Sequence, residues 1–126
     1  MNSLCLIYSD DFFNVYHYDS VGEEVVVFFA PMSWNRKKNP VWGEGISRKL
    51  FLNSIFVVPK NASWYPDNRM KFLWPIIERI RADKKLYLYG YSMGAYAALK
   101  YSSKVNADFV LAFSPQASIA PDFCGQ

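Results

Sequence analysis

Apolar residues fall into short runs along the chain, and most runs end at polar or turn-forming residues. Two early runs, residues 4–8 and 12–18, are separated by Ser9-Asp10-Asp11 and predict a β-hairpin. Four later runs are continuous rather than alternating: residues 24–30, 54–59, 86–90 and 107–114. Continuous runs rich in β-branched and aromatic residues are typical of strands buried on both faces of a parallel sheet.

Helical spacing of apolar residues occurs between these strands. We expect a short helix over residues 46–53, a helix ending near residue 82, and another over residues 93–103. The second has an apolar stripe formed by Phe72, Ile76, Ile77 and Ile80. Pro75 marks either the first turn of that helix or a kink within it. Alternating strands and helices predict an α/β fold, a three-layer sandwich with a mainly parallel sheet.

The length, hydrophobic content and net charge of the chain restrict the class of protein. With 126 residues, of which 52% are hydrophobic, the chain predicts a single folded domain over residues 1–126 that is short for a complete α/β enzyme. The net charge of +3 is small, and Asp67, Glu78 and Asp83 lie among the basic residues, so we expect a solvated face and no nucleic-acid partner.

The two cysteines form no disulfide framework or metal-binding motif, and we expect Cys5 to be a small core residue. The first residues lack the pattern of a signal peptide, and no apolar run is long enough to span a membrane. The sequence therefore predicts a cytoplasmic protein with no membrane partner and no metal or cofactor.

The pentapeptide Gly90-Tyr91-Ser92-Met93-Gly94 lies between the apolar run 86–90 and a helical run of small residues. In that setting the glycines permit a sharp strand-to-helix turn that projects the Ser92 hydroxyl above the sheet. A simpler interpretation is an ordinary tight turn in which Ser92 caps the helix.

This arrangement resembles the nucleophile elbow of the α/β-hydrolase superfamily, and the resemblance covers nearly the whole chain as its first six strands. It implies that Ser92 is the nucleophile, that Gly90 and Gly94 permit close packing, and that the backbone N–H groups of Met93 and Met32 form the oxyanion hole. Together with Phe-Ser-Pro-Gln at 113–116, the motif is also similar to small bacterial hydrolase-like proteins found near surface-polysaccharide functions.

The chain departs from the family where the acid and the histidine are expected. Its only histidine is His17, in an early strand, and Asp122 has no histidine to orient. The fold is therefore expected to be a truncated α/β-hydrolase-like fold, incomplete at the C-terminus. Trp34, Trp42, Trp64 and Tyr65 lie in loops and either form a rim for a sugar or acyl group or pack over the core.

Three functional hypotheses follow. The first is a serine-hydrolase-type domain acting on a small ester or acyl substrate, with its base in sequence not shown. The second is a non-catalytic binding or partner module, linked to surface-polysaccharide processes, that self-associates through the exposed last strand. The third uses His17 as the base and requires it to lie about 3 Å from Ser92.

Overall fold

The structure is a computed structural model and describes residues 3–31, 41–60 and 64–113. It contains one six-stranded sheet. The strands are β1 (Leu4–Ser9), β2 (Phe13–Tyr18), β3 (Glu24–Phe29), β4 (Asn53–Pro59), β5 (Lys85–Tyr91) and β6 (Phe109–Phe113). Their order is β1-β2-β4-β3-β5-β6, so the chain crosses over between β3, β4 and β5. Four strands, β4, β3, β5 and β6, are mutually parallel, whereas β2 is antiparallel to both β1 and β4.

Four helices accompany the sheet in the described ranges. They are α1 (Glu44–Lys49), α2 (Asp67–Met70), α3 (Trp74–Arg81) and α4 (Met93–Tyr101). The hydrophobic core has two parts, one on each face of the sheet. On one face Val27, Phe29 and Leu88 pack with residues of α3 and α4. On the other face Phe28, Phe56 and Val58 pack near α1. Helices therefore flank both faces, and the prediction of a three-layer α/β fold with a mainly parallel sheet is confirmed.

The predicted hairpin is present, and its turn is held by one carboxylate. Asp10 Oδ1 accepts hydrogen bonds from the backbone N–H groups of Phe12 (2.7 Å) and Phe13 (2.8 Å). The Tyr8 hydroxyl donates to Oδ2 of the same carboxylate at 2.6 Å. Asp10 thus fixes the path of the chain from β1 into β2.

Three details of the sequence prediction were wrong. Cys5 is exposed rather than buried, because β1 is an edge strand whose side chains are mostly uncovered. Helix α1 begins at Glu44, and Asn53 is already the first residue of β4. Phe72 is exposed, because a turn over residues 71–73 separates α2 from α3 and rotates it away from the core.

Pro75 lies in the first turn of α3. Residues in this turn make no intrahelical hydrogen bond through their N–H groups, so the proline breaks none. The helix therefore starts at this point and is not kinked. In the described ranges, no helix has the length and apolar character needed to cross a membrane.

Candidate functional site

Ser92 occupies the turn between the carboxyl end of β5 and the start of α4. Its backbone dihedral angles are φ 57° and ψ −116°, a region that residues with a side chain rarely adopt. The residue is half-buried and separates an exposed Tyr91 from a buried Met93. The chain therefore reverses direction within one residue, as the strand–turn–helix arrangement of the sequence motif predicts.

The two glycines of the motif allow this turn because backbone occupies the space where their side chains would lie. A Cβ at residue 90 would be 2.2 Å from the carbonyl oxygen of Gly94. A Cβ at residue 94 would be 1.9 Å from the carbonyl oxygen of Phe29 in β3. Gly90 thus lets the helix fold back onto its own strand, and Gly94 lets the helix approach the neighbouring strand.

Ser92 is not a helix cap in the usual sense. A capping serine has extended backbone angles and accepts a hydrogen bond at its side-chain oxygen. Ser92 has a positive φ and makes no side-chain capping hydrogen bond. Because the structure gives the Ser92 hydroxyl no capping bond, the simpler interpretation of the motif is wrong.

Backbone hydrogen bonds hold the turn on both sides. The Ser92 N–H donates to the carbonyl oxygen of Phe113 in β6 at 2.9 Å, and the Ser92 carbonyl accepts from Tyr96 N–H at 3.1 Å. The first bond ties the turn to the adjacent strand, and the second starts the hydrogen-bonding ladder of α4. The position of Ser92 is therefore determined by β5, β6 and α4 together.

The predicted oxyanion donors are described only in part. Met93 is the first residue of α4, and its side chain is buried. N–H groups in the first turn of a helix have no intrahelical acceptor and carry the positive end of the helix dipole. Met32 lies outside the described residues, as do Trp34 and Asp122.

His17 lies far from Ser92. Its Nε2 is 2.8 Å from the Asn53 side-chain oxygen, at the beginning of β4. Three strand spacings separate β2 from β5, or roughly 14 Å. His17 pairs with Ile55, which is level with Leu88, so Ser92 lies roughly another 13 Å along the sheet. The hypothesis that His17 acts as the base is therefore wrong.

The loop aromatics mostly pack into the protein. Trp42 contacts Phe28 and Tyr89 edge to face, with centroid distances of 6.2 and 5.4 Å. Tyr65 is fully buried against Phe13 and Phe29. Trp64 is half-buried and contacts Tyr96, four residues after Ser92, at 5.4 Å. The core-packing interpretation is correct for all three: Tyr65 is fully buried, and Trp42 and Trp64 are both half-buried and pack against the core.

Two tyrosines, which no sequence pattern indicated, join distant segments of the chain by hydrogen bonds. The Tyr65 hydroxyl donates to the carbonyl oxygen of Ala30, directly after β3, at 2.6 Å. The Tyr101 hydroxyl, at the end of α4, lies 2.5 Å from the Tyr65 carbonyl oxygen and 2.6 Å from Asp67 Oδ1. These contacts join the chain after β3, the segment before α2 and the end of α4. The spacing of the tyrosines gives no sequence signal, because the three segments meet only in the folded chain.

Burial and hydrogen bonding keep these groups in their ordinary protonation states. Burial raises the pKa of Tyr65 well above its usual value. Burial, followed by the Asp67 carboxylate, raises the pKa of Tyr101. The hydrogen bond from Tyr101, followed by that from Lys100, lowers the pKa of Asp67. Both phenols are therefore neutral and Asp67 is ionised near neutral pH, so none of the three is poised as a base.

Two solved structures with a similar arrangement of strands and helices are an esterase and a serine hydrolase homologue. An esterase from Pyrococcus furiosus is 16% identical and matches 92% of this chain and 53% of its own, with a TM-score of 0.67. An α/β serine hydrolase homologue from Coxiella burnetii is 16% identical over 94% of this chain and 65% of its own, with a TM-score of 0.63. This chain has an α/β-hydrolase-like fold.

A further structure with this hydrolase-like fold is the capsule O-acetyltransferase of Neisseria meningitidis serogroup A. It is 14% identical over 87% of this chain and 51% of its own, with a TM-score of 0.66. The chain thus spans between half and two-thirds of the length of these hydrolase-like structures. No family model matches the sequence, and no curated protein does so either.

Proposed function

We propose that this chain is a serine-hydrolase-type domain and that the Ser92 hydroxyl is its nucleophile toward an ester or acyl substrate. The observation that carries the proposal is the backbone of Ser92, with φ 57° and ψ −116°, at the carboxyl end of a parallel strand. Backbone strain of this kind persists where the surrounding structure enforces it, and such positions cluster at reactive sites. Here the two glycines and the bond to Phe113 enforce it.

The chemistry needs a base that removes the hydroxyl proton. Ser92 Oγ would attack the substrate carbonyl carbon while its proton passes to that base. The oxyanion that forms would be held by the Met93 N–H at the start of α4, with a second donor from the chain after β3, for which Met32 remains our choice. Collapse would expel the alcohol and leave an acyl-serine, which water or another hydroxyl group then cleaves.

We infer that the base comes from outside these 126 residues. The chain contains one histidine, and His17 lies three strands from β5. We infer that an imidazole on another polypeptide segment completes the site. The same observation favours a second candidate function, a non-catalytic module that keeps the hydrolase-like fold for binding a partner.

The substrate class to test first is an acetyl ester on a sugar. The likeness to a capsule O-acetyltransferase supports this choice, since a serine that accepts an acetyl group can pass it either to water or to another hydroxyl group. It also agrees with the resemblance of the sequence to proteins found near surface-polysaccharide functions.

Labelling with a fluorophosphonate probe tests the role of Ser92. We expect slow labelling of the purified chain, with the adduct mapped to Ser92 by peptide mass spectrometry. Added imidazole, a small-molecule substitute for the missing base, should raise the rate roughly tenfold or more. Ser92→Ala should abolish labelling at this position.

Ser102→Ala is the matched control. Ser102 lies at the other end of α4, and its hydroxyl donates to the Leu99 carbonyl oxygen at 3.1 Å. This variant should label at the rate of the unmodified chain. Labelling that persists in Ser92→Ala would contradict the role of Ser92. An unreactive chain, with and without imidazole, would favour the non-catalytic module.

A further inference from the structure

A crevice between α2, α3 and the end of α4 brings three lysines together beside a tryptophan. Its volume is about 590 Å³, which is in the range of sites that hold a small molecule. We call it the lysine crevice. Its walls include Asp67, Lys71, Trp74, Lys100, Tyr101 and Lys104. They lie on the side of α4 that faces α2 and α3, and neither β6 nor the sheet edge contributes to them.

The walls of the lysine crevice carry a net positive charge. Lys100 Nζ is 3.2 Å from Oδ1 of Asp67, the one carboxylate on these walls. Lys71 and Lys104 form no ion pair with a carboxylate of the described residues. Three ammonium groups and one carboxylate leave a net charge of +2. A concave surface of one sign attracts a ligand of the opposite sign.

The position of Lys71 is not explained by the stability of α4. Lysines at the carboxyl end of a helix interact favourably with its negative end, and this accounts for Lys100 and Lys104. Lys71 comes from a different segment, the turn between α2 and α3, and yet it lines the same crevice. The three lysines therefore share a place in the fold that no single helix requires.

Trp74 gives the lysine crevice a flat apolar wall. Its half-buried ring packs against the Tyr101 ring, with the centroids 5.0 Å apart and the planes inclined at 55°. The Tyr101 hydroxyl is bound to the Tyr65 carbonyl oxygen and to Asp67, so this ring is fixed behind Trp74. A sugar ring has a face of C–H groups that can pack on such a surface, while its hydroxyl groups remain free to form hydrogen bonds.

Asp67 favours a ligand that has hydroxyl groups as well as a negative charge. Hydrogen bonds from Tyr101 and Lys100, followed by the charge of Lys104, lower the pKa of Asp67, so its carboxylate is ionised near neutral pH. Oδ1 accepts from Tyr101 and Lys100, whereas Oδ2 accepts no hydrogen bond from a described residue. A free anion would be attracted by the lysines and repelled by this carboxylate. A hydroxyl group on the ligand would donate to Oδ2.

We propose that the lysine crevice binds a phosphorylated sugar, with the sugar ring against Trp74 and the phosphate group at Lys71 and Lys104. A hydroxyl group of the sugar donates to Asp67 Oδ2. Tyr101 lies nine residues after Ser92, roughly 14 Å along α4. The site is therefore separate from the reaction proposed at Ser92 and does not depend on it.

Isothermal titration calorimetry of the purified chain with glucose monophosphate, glucose and inorganic phosphate tests this proposal. Glucose monophosphate should bind at least tenfold more tightly than either of the others, because its ring and its phosphate bind as one molecule. Lys71→Gln and Lys104→Gln each remove one ammonium group and should weaken binding about fivefold. Trp74→Leu should reduce the affinity for glucose monophosphate to that for inorganic phosphate.

Lys85→Gln is the matched control, because Lys85 is an exposed lysine at the start of β5, outside the lysine crevice. It should bind as the unmodified chain does, and circular dichroism should show all the lysine variants folded. Equal weakening by Lys85→Gln and Lys104→Gln would indicate general attraction between charges and overturn the site.

Equal affinities for glucose monophosphate and inorganic phosphate, or no binding at millimolar concentrations, would overturn the sugar phosphate as the ligand. Tighter binding of glucuronate, which carries a carboxylate instead, would overturn the assignment of the phosphate group. Ser92→Ala should bind glucose monophosphate as the unmodified chain does. Failure of this proposal is therefore distinguishable from failure of the role proposed for Ser92.

Discussion

Gly94 lies directly against Phe29, so that a Cβ at residue 94 would be 1.9 Å from the Phe29 carbonyl oxygen and 2.8 Å from its carbonyl carbon. The contact is between backbone of α4 and backbone of β3, which no side-chain rotation can relieve. It places the first turn of α4 against the strand after which a second oxyanion donor is expected.

Gly94→Ala should therefore destabilise the fold by about 3 kcal/mol, because the helix has to move away from β3 to admit a methyl group. Urea unfolding followed by circular dichroism measures this free energy. Gly45→Ala is the matched control: Gly45 lies in α1, and a Cβ there meets nothing within 4 Å. That variant should be neutral or more stable by about 0.5 kcal/mol. Equal effects at the two positions would contradict the packing described for α4.

The backbone angles of Ser92 predict that this residue is strained and lowers the stability of the fold. Ser92→Gly should raise the free energy of unfolding by about 1 kcal/mol, because glycine adopts φ 57° and ψ −116° with little strain. Ser92→Ala keeps a Cβ and should change stability little. Thermal unfolding of the two variants compares them directly.

Ala82 provides a second measurement of the same strain away from the site. It ends α3 with φ 52° and ψ −117°, nearly the angles of Ser92. Ala82→Gly should give a similar stabilisation. If Ser92→Gly is no more stable than Ser92→Ala, the turn is not strained in the way its angles indicate.

Asp10 should make the stability of the hairpin depend on pH. Burial alone would raise the pKa of its carboxyl group, but hydrogen bonds from Tyr8, Phe13 and Phe12 lower it. A lowered folded-state pKa stabilises the protein above about pH 4, and the contribution disappears as pH falls through the folded-state value. Asp10→Ala should cost about 1 kcal/mol at pH 7, and the difference should shrink in acid.

The Tyr8 hydroxyl makes the stability of the Tyr8–Asp10 pair depend on pH in a second, alkaline range. The hydrogen bond to Asp10 raises the pKa of Tyr8 to about 12, so its contribution is complete below pH 10 and is lost as pH rises toward 12. Urea unfolding of the unmodified chain and Asp10→Ala across pH measures both ranges. Asp11→Ala, at the exposed neighbouring residue, is the matched control. A difference that does not vary with pH would contradict this account of the turn.

The strands could be predicted from sequence because their apolar runs are continuous. The residues at which strands and helices begin and end could not be predicted in this way. β6 begins at Phe109 rather than Ala107, because the Asp108 carboxylate binds Arg81 and the Leu86 N–H from distant parts of the chain. α1 begins earlier than expected because Gly43, with φ 102°, provides its N-terminal cap. Such contacts and angles have no periodic signature.

The candidate site could also be predicted only in part. The turn at Ser92 was predictable because a five-residue motif sits between a strand and a helix. Tyr65 was assigned to a loop, yet it is fully buried, because positive φ angles at Trp64 and Tyr65 turn its side chain inward beneath β3. Those angles belong to non-glycine residues, so no local sequence rule could indicate them.

The hydrogen bond from the Ser92 amide to the Phe113 carbonyl oxygen connects Ser92 directly to β6, the outermost strand of the described sheet. A displacement of β6 along its axis would therefore move the backbone of Ser92 directly, because no side chain lies between the two.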